Sequence, residues 1–302
     1  MTDRRRVAIV LASVDAGPSI DASLAGFLRE VDGRGEVIVI DATGCAIATS
    51  ATGLRVLRRP AARLVPELWR DGLKSVDADL VAFSTTQMVP RVGWLDAMLG
   101  AIDGAGEDAI GVGGSIEPGE GLGPVDRAIF LLRFLAYGDP LPTRPSGENA
   151  LYRLKSLLDV EELWEHGFWE AEVHRGLESR GGGWTMAPEA VLTYRGSTPI
   201  ATMASQRLAH ARRFGAVRSE GWPPSWRVLR SMATPAIPAL MMAKAARGLS
   251  RRRLAAGNWL NCLPAFLVLA ALWAWGETLG SWRGAKPIRP IRAGAISDGL
   301  TD

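Results

Sequence analysis

The chain has 302 residues, and its 35 Lys and Arg residues nearly balance its 32 Asp and Glu residues, giving a formal net charge of +3. This length accommodates one large α/β domain with an appendage, or two smaller domains. The near balance excludes a chain coated in positive charge for binding nucleic acid. Basic residues nevertheless concentrate from Arg195 onward, which indicates that this region faces phosphates or an anionic membrane. Only Cys45 and Cys262 occur, so we expect no disulfide framework and no cysteine metal cluster, as suits a reducing, cytoplasmic setting.

The beginning of the chain, MTDRRRVAIVLASVDAG, combines a basic cluster with an apolar run, as a signal peptide does. The run is short and reaches Asp15 without an A-x-A-like cleavage site. We therefore interpret Val7–Leu11 as a first strand and assign no secretion signal.

Short apolar runs then alternate with amphipathic segments. Asp21–Val31 has a helical periodicity, whereas Glu36–Ile40 and Leu54–Leu57 are continuous apolar runs typical of buried strands. Pro66 suits the first turn of a further helix, where its missing N–H is not needed. Because the strands are continuously apolar and alternate with helices, the sequence predicts a parallel sheet covered on both faces.

The segment Asp79–Trp94, DLVAFSTTQMVPRVGW, is an apolar run that breaks into polar residues. It predicts a fourth strand whose end carries Ser84 and the triplet Thr85, Thr86 and Gln87. Ligands of open α/β sheets lie beyond the carboxyl ends of parallel strands, so these side chains are candidate ligand contacts. The triplet contains no carboxylate.

The next part of the chain is less regular. We expect a strand at Ala109–Val112, a mobile or ligand-contacting glycine-rich loop at Gly113–Gly123, and two short strands at Trp184–Met186 and Ala190–Tyr194. Val125–Tyr137 is apolar on more than one face. It is therefore either core or a segment that lies against a membrane or a lipid acceptor.

From Thr198 the chain changes character. Ala204–Arg218 predicts a basic helix, and two apolar stretches follow at Met232–Ala243 and Trp259–Trp275. The first is shorter than the ~20 apolar residues that a straight span requires, whereas the second approaches that length and is bounded by tryptophans. A hairpin of two spans would place the basic sequence ARGLSRRR on the outer side, against the positive-inside tendency. We therefore expect at most one span, or two segments lying in the cytoplasmic leaflet.

Several segments occur in an order that resembles a known family. They are VAIVLASVD, EVIVIDATG, PELWRDGLKSVDADLVAF, SGENALYRLKSL and GFWEAEVHRGL. The sequence over residues 5–218 resembles the bacterial family 2 glycosyltransferases, which are inverting enzymes of GT-A fold that use nucleotide-activated sugars. The later segment GNWLNCLPAFLVLAALWAWGETLG resembles the tail of membrane-attached members.

The resemblance implies an α/β fold of GT-A type. Its central sheet would be Rossmann-like, mostly parallel and flanked by helices, with a C-terminal helical membrane-associated segment. The implied domains are 1–218 for the glycosyltransferase domain, 219–283 for the membrane-associated helices and 284–302 for a disordered tail.

The resemblance also implies a donor site at the strand ends. The turn after the first strand would hold the nucleotide base, Asp41 would bond the base or ribose, and Asn149 would lie near the donor sugar or the acceptor. The triplet Thr85, Thr86 and Gln87 takes the place of the DXD motif, whose last Asp normally helps to bind a divalent ion. The implied donor-binding residues are Ser13, Asp15, Asp41, Thr85, Thr86, Gln87 and Asn149.

Glu170 occupies the position of the second carboxylate of the family's Glu-Asp pair, which is the general base. An inverting transfer needs one carboxylate near the acceptor hydroxyl and positive charge on the leaving diphosphate. Hydroxyl and amide groups are poor sole ligands for Mg²⁺ or Mn²⁺. Either Asp41 and waters help to hold a metal, or the basic helix neutralises the diphosphate through Arg207 and Arg212 with His210 and Arg213.

The sequence thus predicts a membrane-associated glycosyltransferase that transfers a sugar from a nucleoside-diphosphate sugar to an envelope lipid or saccharide. Its catalytic domain would lie on the cytoplasmic side of the inner membrane, without an organic cofactor or a nucleic acid partner. A catalytically silent relative that binds nucleotide sugar or lipid is the alternative. A sugar nucleotidyltransferase is a second alternative, but residues 12–17 read ASVDAG instead of the G-x-G-T-R loop that it requires.

Overall fold

A computed structural model describes residues 5–15, 17–45, 47, 51–61, 63–106, 108–196, 198–254 and 256–284. Eight strands form one sheet in the order β3-β2-β1-β4-β7-β6-β8-β5. The strands are β1 (Val7–Ser13), β2 (Gly35–Asp41), β3 (Leu54–Arg58), β4 (Leu80–Thr85), β5 (Met88–Pro90), β6 (Ala109–Pro118), β7 (Ala150–Arg153) and β8 (Gly183–Tyr194).

The first half of the sheet is parallel, as the sequence predicted. β1 lies between β2 and β4, β3 pairs with β2, and all these pairings are parallel. β7 then joins antiparallel to both β4 and β6, and β5 joins antiparallel to β8. The carboxyl ends of β1, β2 and β4 consequently lie at one edge of the sheet.

Helices cover both faces of the sheet. Those of the first two hundred residues are α1 (Ser19–Val31), α2 (Val65–Leu73), α3 (Trp94–Gly104), α4 (Pro124–Arg133), α5 (Leu154–Leu158), α6 (Glu161–Trp164) and α7 (Glu170–Ser179). Alternate side chains of β1 serve two separate cores, with Ile9 on the side of α1, α3 and α4 and Val10 on the side of α2. Pro66 lies in the first turn of α2, as predicted.

The predicted glycine-rich loop begins later than expected, because β6 continues to Pro118. A Cβ on Gly113 would lie 2.4 Å from the Pro145 Cβ, and one on Gly114 would lie 2.1 Å from the Ala190 carbonyl oxygen. These glycines therefore permit close packing inside the sheet. The two short strands expected after α7 form one strand, β8, whose register with β6 shifts between Gly114 and Ser115.

The C-terminal part of the described chain is helical and packs against the sheet domain. It contains α8 (Ile200–Arg218), α9 (Pro224–Met232), α10 (Ala236–Arg251) and α11 (Leu263–Arg283). Glycines bring α8 and α11 into close contact, since a Cβ on Gly280 would lie 1.9 Å from the Arg212 carbonyl oxygen. A Cβ on Gly215 would likewise lie 2.0 Å from the Glu277 carbonyl oxygen. The predicted domain boundary after residue 218 separates α8 from α11, yet these two helices pack closely on each other. The boundary therefore stays a prediction.

The outer faces of these helices expose large apolar side chains. The exposed residues include Trp226, Leu229 and Met232 of α9, Leu240 of α10, and Trp275 and Trp282 of α11. Within the described part of the chain, one segment, Trp259–Arg283, is long and apolar enough to cross a membrane, by length and composition alone, and 39% of its most apolar stretch is buried. Core helices of soluble proteins pass the same criterion. The tail that the sequence analysis expected to be disordered, residues 284–302, lies outside the described residues beyond Gly284.

Candidate active site

Polar side chains meet where β1 and β4 end. The Thr86 hydroxyl donates to the Ser13 hydroxyl over 3.2 Å, and the Gln87 amide donates to the Asp15 carboxylate over 2.8 Å. Thr198, just before α8, also donates to Asp15, over 2.9 Å. The structure thus brings together four of the predicted donor residues with Thr198, which the sequence analysis did not single out.

Asp41 lies beside this group at the end of β2. It pairs in register with Ser13, and its carboxylate accepts the backbone N–H and hydroxyl of Thr43 over 2.9 and 2.7 Å. The carboxylate is thereby held at the carboxyl edge of the parallel strands.

Asn149 has a different environment from the other predicted donor residues. Its amide nitrogen donates to the carbonyls of Ser115 and Ala190, over 2.7 and 3.0 Å, and its oxygen accepts the Trp94 indole N–H over 2.8 Å. The side chain is fully buried and ties α3, β6 and β8 together. Its assignment to the donor sugar stays a prediction.

The residues present at the strand ends do not fit a divalent metal ion. Among the described residues, Asp15 is the single carboxylate bonded to the Thr85–Gln87 triplet, and it already accepts bonds from Gln87 and Thr198. No group of three or more His, Cys, Asp or Glu side chains in the described part of the chain is arranged to hold a metal. Hard divalent ions prefer several oxygen ligands that include carboxylates.

A cavity of about 450 Å³ lies between the sheet domain and the C-terminal helices, and none of the predicted donor residues lines it. Trp69 connects the cavity to the end of β4, because it lines the cavity and its indole N–H donates to the Ser84 carbonyl over 2.8 Å. The polar lining includes Glu148, Glu170, Arg133, Arg207, His210 and Arg213, and the apolar lining includes Leu132, Met203, Phe214, Ile237, Met241 and Trp273.

Glu170, at the start of α7, is partly exposed to the cavity. The Gly147 N–H donates to its carboxylate over 2.6 Å, and no Lys or Arg among the described residues forms an ion pair with it. Burial raises the pKa of Glu170 to about 7, and the negative charge of Glu148 contributes, while the Gly147 N–H and Arg133 oppose the rise. The group can therefore accept a proton near neutral pH.

Glu148 and Arg133 form an ion pair in the cavity wall. Glu148 is buried and also accepts the Ser146 hydroxyl over 2.9 Å. The sequence analysis passed over both residues. Glu148 lies within the segment SGENALYRLKSL that carried the family resemblance, next to Asn149, so that segment could have drawn attention to it. Arg133 lies within the apolar stretch at α4, where its position beside the cavity depends on long-range packing.

Arg207, on α8, is a buried cation without a carboxylate partner among the described residues. It is 8% exposed, its Nε donates to the Leu269 carbonyl over 3.1 Å, and its guanidinium stacks on the Trp273 ring at 4.8 Å. Burial lowers the pKa of Arg207 to about 9, which leaves the side chain charged at neutral pH. A buried charge is unfavourable unless it is paired, so the cavity favours an anionic group here.

The other members of the basic helix differ from Arg207. Arg213 lines the cavity but forms an ion pair with Glu172 at 3.1 Å. Burial lowers the pKa of His210 to about 3, so its imidazole is neutral. Arg212 does not line the cavity, and its Nε donates to the Gly284 carbonyl over 3.2 Å. Of the two predicted diphosphate ligands, the structure therefore brings only Arg207 to the cavity.

Comparisons with known proteins bear on the fold. No protein-family model matches the sequence, and none of the curated proteins compared with it does. Among solved structures, the mannosyltransferase PcManGT from Pyrobaculum calidifontis, in complex with GDP-Man and Mn²⁺, is similar. It shares 16% identity and a TM-score of 0.55, over 93% of this chain and 88% of that chain.

Two further structures are similar over a smaller part of the chain. Glucosyl-3-phosphoglycerate synthase from Mycobacterium tuberculosis has 19% identity and a TM-score of 0.49, over 68% of this chain and 78% of that chain. A mycobacterial protein has 16% identity and a TM-score of 0.47, over 68% of this chain and 73% of that chain. At such identities the likeness to the mannosyltransferase concerns the fold. Together with the sheet order and the flanking helices, it shows that this chain has a GT-A-like fold.

Proposed function

We propose that this protein is an inverting glycosyltransferase with Glu170 as its general base. The observation that carries the proposal is the position of Glu170. Its carboxylate has no basic side chain paired to it among the described residues, and it lies in a cavity that Trp69 links to the end of β4. In GT-A-like folds and other open α/β folds, such strand ends are where ligands bind. The resemblance to family 2 glycosyltransferases supports the same assignment.

The proposed reaction is a single displacement. The acceptor hydroxyl attacks the anomeric carbon, its proton passes to the Glu170 carboxylate, and the new glycosidic C–O bond forms as the bond to the diphosphate breaks. The nucleoside diphosphate leaves with the bonding electrons. Ser13, Asp15 and Asp41 would hold the nucleoside, with Thr85, Thr86 and Gln87 beside them.

Charge on the leaving diphosphate also has to be stabilised. Because the strand-end residues do not fit a divalent ion, we assign this role to Arg207, whose guanidinium lacks a carboxylate partner among the described residues. Arg212 would have this role only if α8 rotated, since it lies outside the cavity.

We further propose that the protein associates with the cytoplasmic side of a membrane. The basis is the exposed apolar surface of α9, α10 and α11, which includes Trp226, Leu229 and Trp275. Since α11 packs along the polar helix α8, we place both helices in the headgroup region at the membrane surface and not in the hydrocarbon core of the bilayer. The acceptor would then be an envelope lipid or saccharide.

Donor binding is tested most directly by thermal shift with a panel of nucleoside diphosphates and their sugars, each with Mg²⁺, with Mn²⁺ and with EDTA. We expect one base to raise the melting temperature by about 4 °C at a hundredfold excess over Kd. The rise should persist in EDTA, because the strand-end residues do not fit a metal. Stabilisation only with a metal would contradict the role of Arg207, and no stabilisation by any nucleotide would contradict the donor site.

Transfer should also depend on pH through Glu170. Its raised pKa means that the base is protonated, and therefore inactive, at acidic pH, so activity should rise with pH to a plateau above about pH 7. Glu148→Gln removes a negative charge that disfavours ionisation of Glu170 and leaves Arg133 unpaired, so the acidic limb should move to lower pH. The measurement is kcat against pH for both proteins, with circular dichroism to verify folding. An unchanged limb in the variant would show that Glu148 has no influence on the base.

The alternative hypothesis, a catalytically silent relative, predicts a different experimental result. It is favoured by the loss of DXD carboxylates in the Thr85–Gln87 triplet. A silent relative would bind a nucleotide sugar but neither hydrolyse it nor transfer the sugar. Release of nucleoside diphosphate by purified wild-type protein, absent in Glu170→Gln, excludes it.

A further inference from the structure

A second groove, of about 570 Å³, lies between α4 and α10 and is distinct from the strand ends. We call it the α10 groove. Its floor is largely apolar and its rim is basic. It is lined by Leu131, Leu135, Ala136, Pro142, Ala245 and Gly248 and by the three cations Lys244, Arg247 and Arg251, and it shares Leu132, Arg133, Tyr137 and Met241 with the Glu170 cavity.

The three cations lie on one side of α10, because they are spaced by three and four residues. None of them forms an ion pair or a side-chain hydrogen bond with another described residue, in contrast to the cavity arginines Arg133 and Arg213, which have carboxylate partners. Like charges at this spacing destabilise a helix. This row of three cations, Lys244, Arg247 and Arg251, therefore favours binding of an anion alongside it.

The floor of the groove fits an apolar group, since Leu131 and Leu132 of α4 and Leu135, just after α4, line it opposite α10. A Cβ on Gly248 would lie 2.6 Å from a Leu135 methyl carbon, so the absent side chain lets α10 approach the segment after α4 closely. Leu240 and Met242 on α10 are exposed, so an apolar surface continues outward from the groove. A free inorganic anion would use the rim but not this floor.

The groove joins the Glu170 cavity at Met241, which lines both. Met241 and Arg247 are six residues apart, or about 9 Å along the helix axis. A ligand with an anionic group at Arg247 can therefore extend past Met241 towards Glu170.

We propose that the acceptor is a phosphate-bearing amphiphile whose phosphate binds to Lys244, Arg247 and Arg251. Its apolar chain lies on the α10 groove floor and continues along the exposed side of α10, while a hydroxyl-bearing group enters the Glu170 cavity. Arg247 lies about 9 Å along the helix axis from Met241, where the path enters the Glu170 cavity, so the reacting hydroxyl belongs to a group linked to the phosphate and is not on the phosphate itself. The entry of the hydroxyl-bearing group into the cavity and the position of the reacting hydroxyl rest on the proposed role of Glu170. Phosphate binding to the three cations does not.

The test uses dodecyl phosphate as the probe, below its critical micelle concentration, with the purified full-length protein and isothermal titration calorimetry. Dodecyl maltoside is the neutral amphiphile, and butyl phosphate and inorganic phosphate are the anions without a long chain. We expect dodecyl phosphate to bind at least tenfold more tightly than each of these, a difference of about 1.4 kcal/mol. Because turnover is not measured, a failure here is distinguishable from a failure of the glycosyltransferase proposal.

The variant removes the three charges by Lys244→Gln, Arg247→Gln and Arg251→Gln. It should lose the preference for dodecyl phosphate over dodecyl maltoside. The matched control removes three exposed charges elsewhere, by Lys74→Gln, Arg91→Gln and Arg175→Gln, and should bind as the wild type does.

Three results would overturn the proposal. They are equal binding of dodecyl phosphate and inorganic phosphate, unchanged binding by the groove variant, and equal loss in the control. A fourth comparison separates the acceptor from bulk lipid. If the groove variant loses binding to phosphatidylglycerol vesicles but keeps binding of monomeric dodecyl phosphate, the row contacts the membrane surface and the acceptor proposal is wrong.

Discussion

Replacing Glu170 by Gln should reduce sugar transfer by about 10³-fold while leaving the affinity for the nucleotide donor unchanged. Glutamine keeps the size of the side chain and can still accept the Gly147 N–H, but it cannot take a proton from the acceptor hydroxyl. The measurement is kcat for transfer together with donor Kd by calorimetry.

The matched control for this variant is Glu178→Gln, on the same helix. Glu178 bonds Arg144 and the Trp184 indole and does not line the cavity, so its loss should leave kcat within about twofold of wild type. If Glu170→Gln retained most of its activity, Glu170 would not be the base. If it lost donor affinity to the same degree as kcat, the residue would be a donor contact.

Gly280→Leu should destabilise the protein by about 3 kcal/mol. A Cβ at this position would overlap the Arg212 carbonyl oxygen at 1.9 Å, and backbone cannot move aside as a flexible side chain does. The two helices would have to separate, which would also move Trp273 away from Arg207 and open the cavity wall. The measurement is the urea midpoint followed by circular dichroism.

Gly100→Leu is the control, because it introduces the same side chain into a helix. A Cβ on Gly100 would meet nothing within 4 Å, so the change should be neutral or slightly stabilising. An unchanged midpoint for Gly280→Leu would mean that the contact between α8 and α11 is looser than the structure describes.

Local sequence patterns predicted the parallel half of the sheet well. The continuous apolar strands around Val7–Leu11 and Glu36–Ile40 have no other way to be buried than between two helical layers, and they correspond to β1 and β2. The position of Pro66 likewise fixed the start of α2. These features depend on residues close together in the chain.

Features that depend on distant contacts were not predictable in the same way. Gly113 and Gly114 suggest a loop locally, but they are needed in β6 because Pro145 and Ala190 approach there. Asn149 looks like a ligand contact, yet Ser115, Ala190 and Trp94, which bond it, come from remote segments.

The candidate site shows the same division between local and distant information. The motif order pointed to Glu170, and the strand ends pointed to Ser13, Asp15 and the Thr85–Gln87 triplet. Whether Arg207 or Arg212 lines a cavity depends on the rotation of α8, which is set by its packing on α11 and cannot be read from a run of arginines.

The packing of α11 on α8 also has an evolutionary consequence. The proposed base and nucleoside contacts come from the first two hundred residues and the proposed diphosphate contact, Arg207, comes from α8, whereas Ile237 and Met241 of the opposite cavity wall come from α10. Substitutions at these positions of α10 can alter the shape of the wall without changing the reacting carboxylate or the nucleoside contacts. Descendants of this chain could thus diverge in acceptor while conserving their chemistry, provided that the glycines between α8 and α11 are retained.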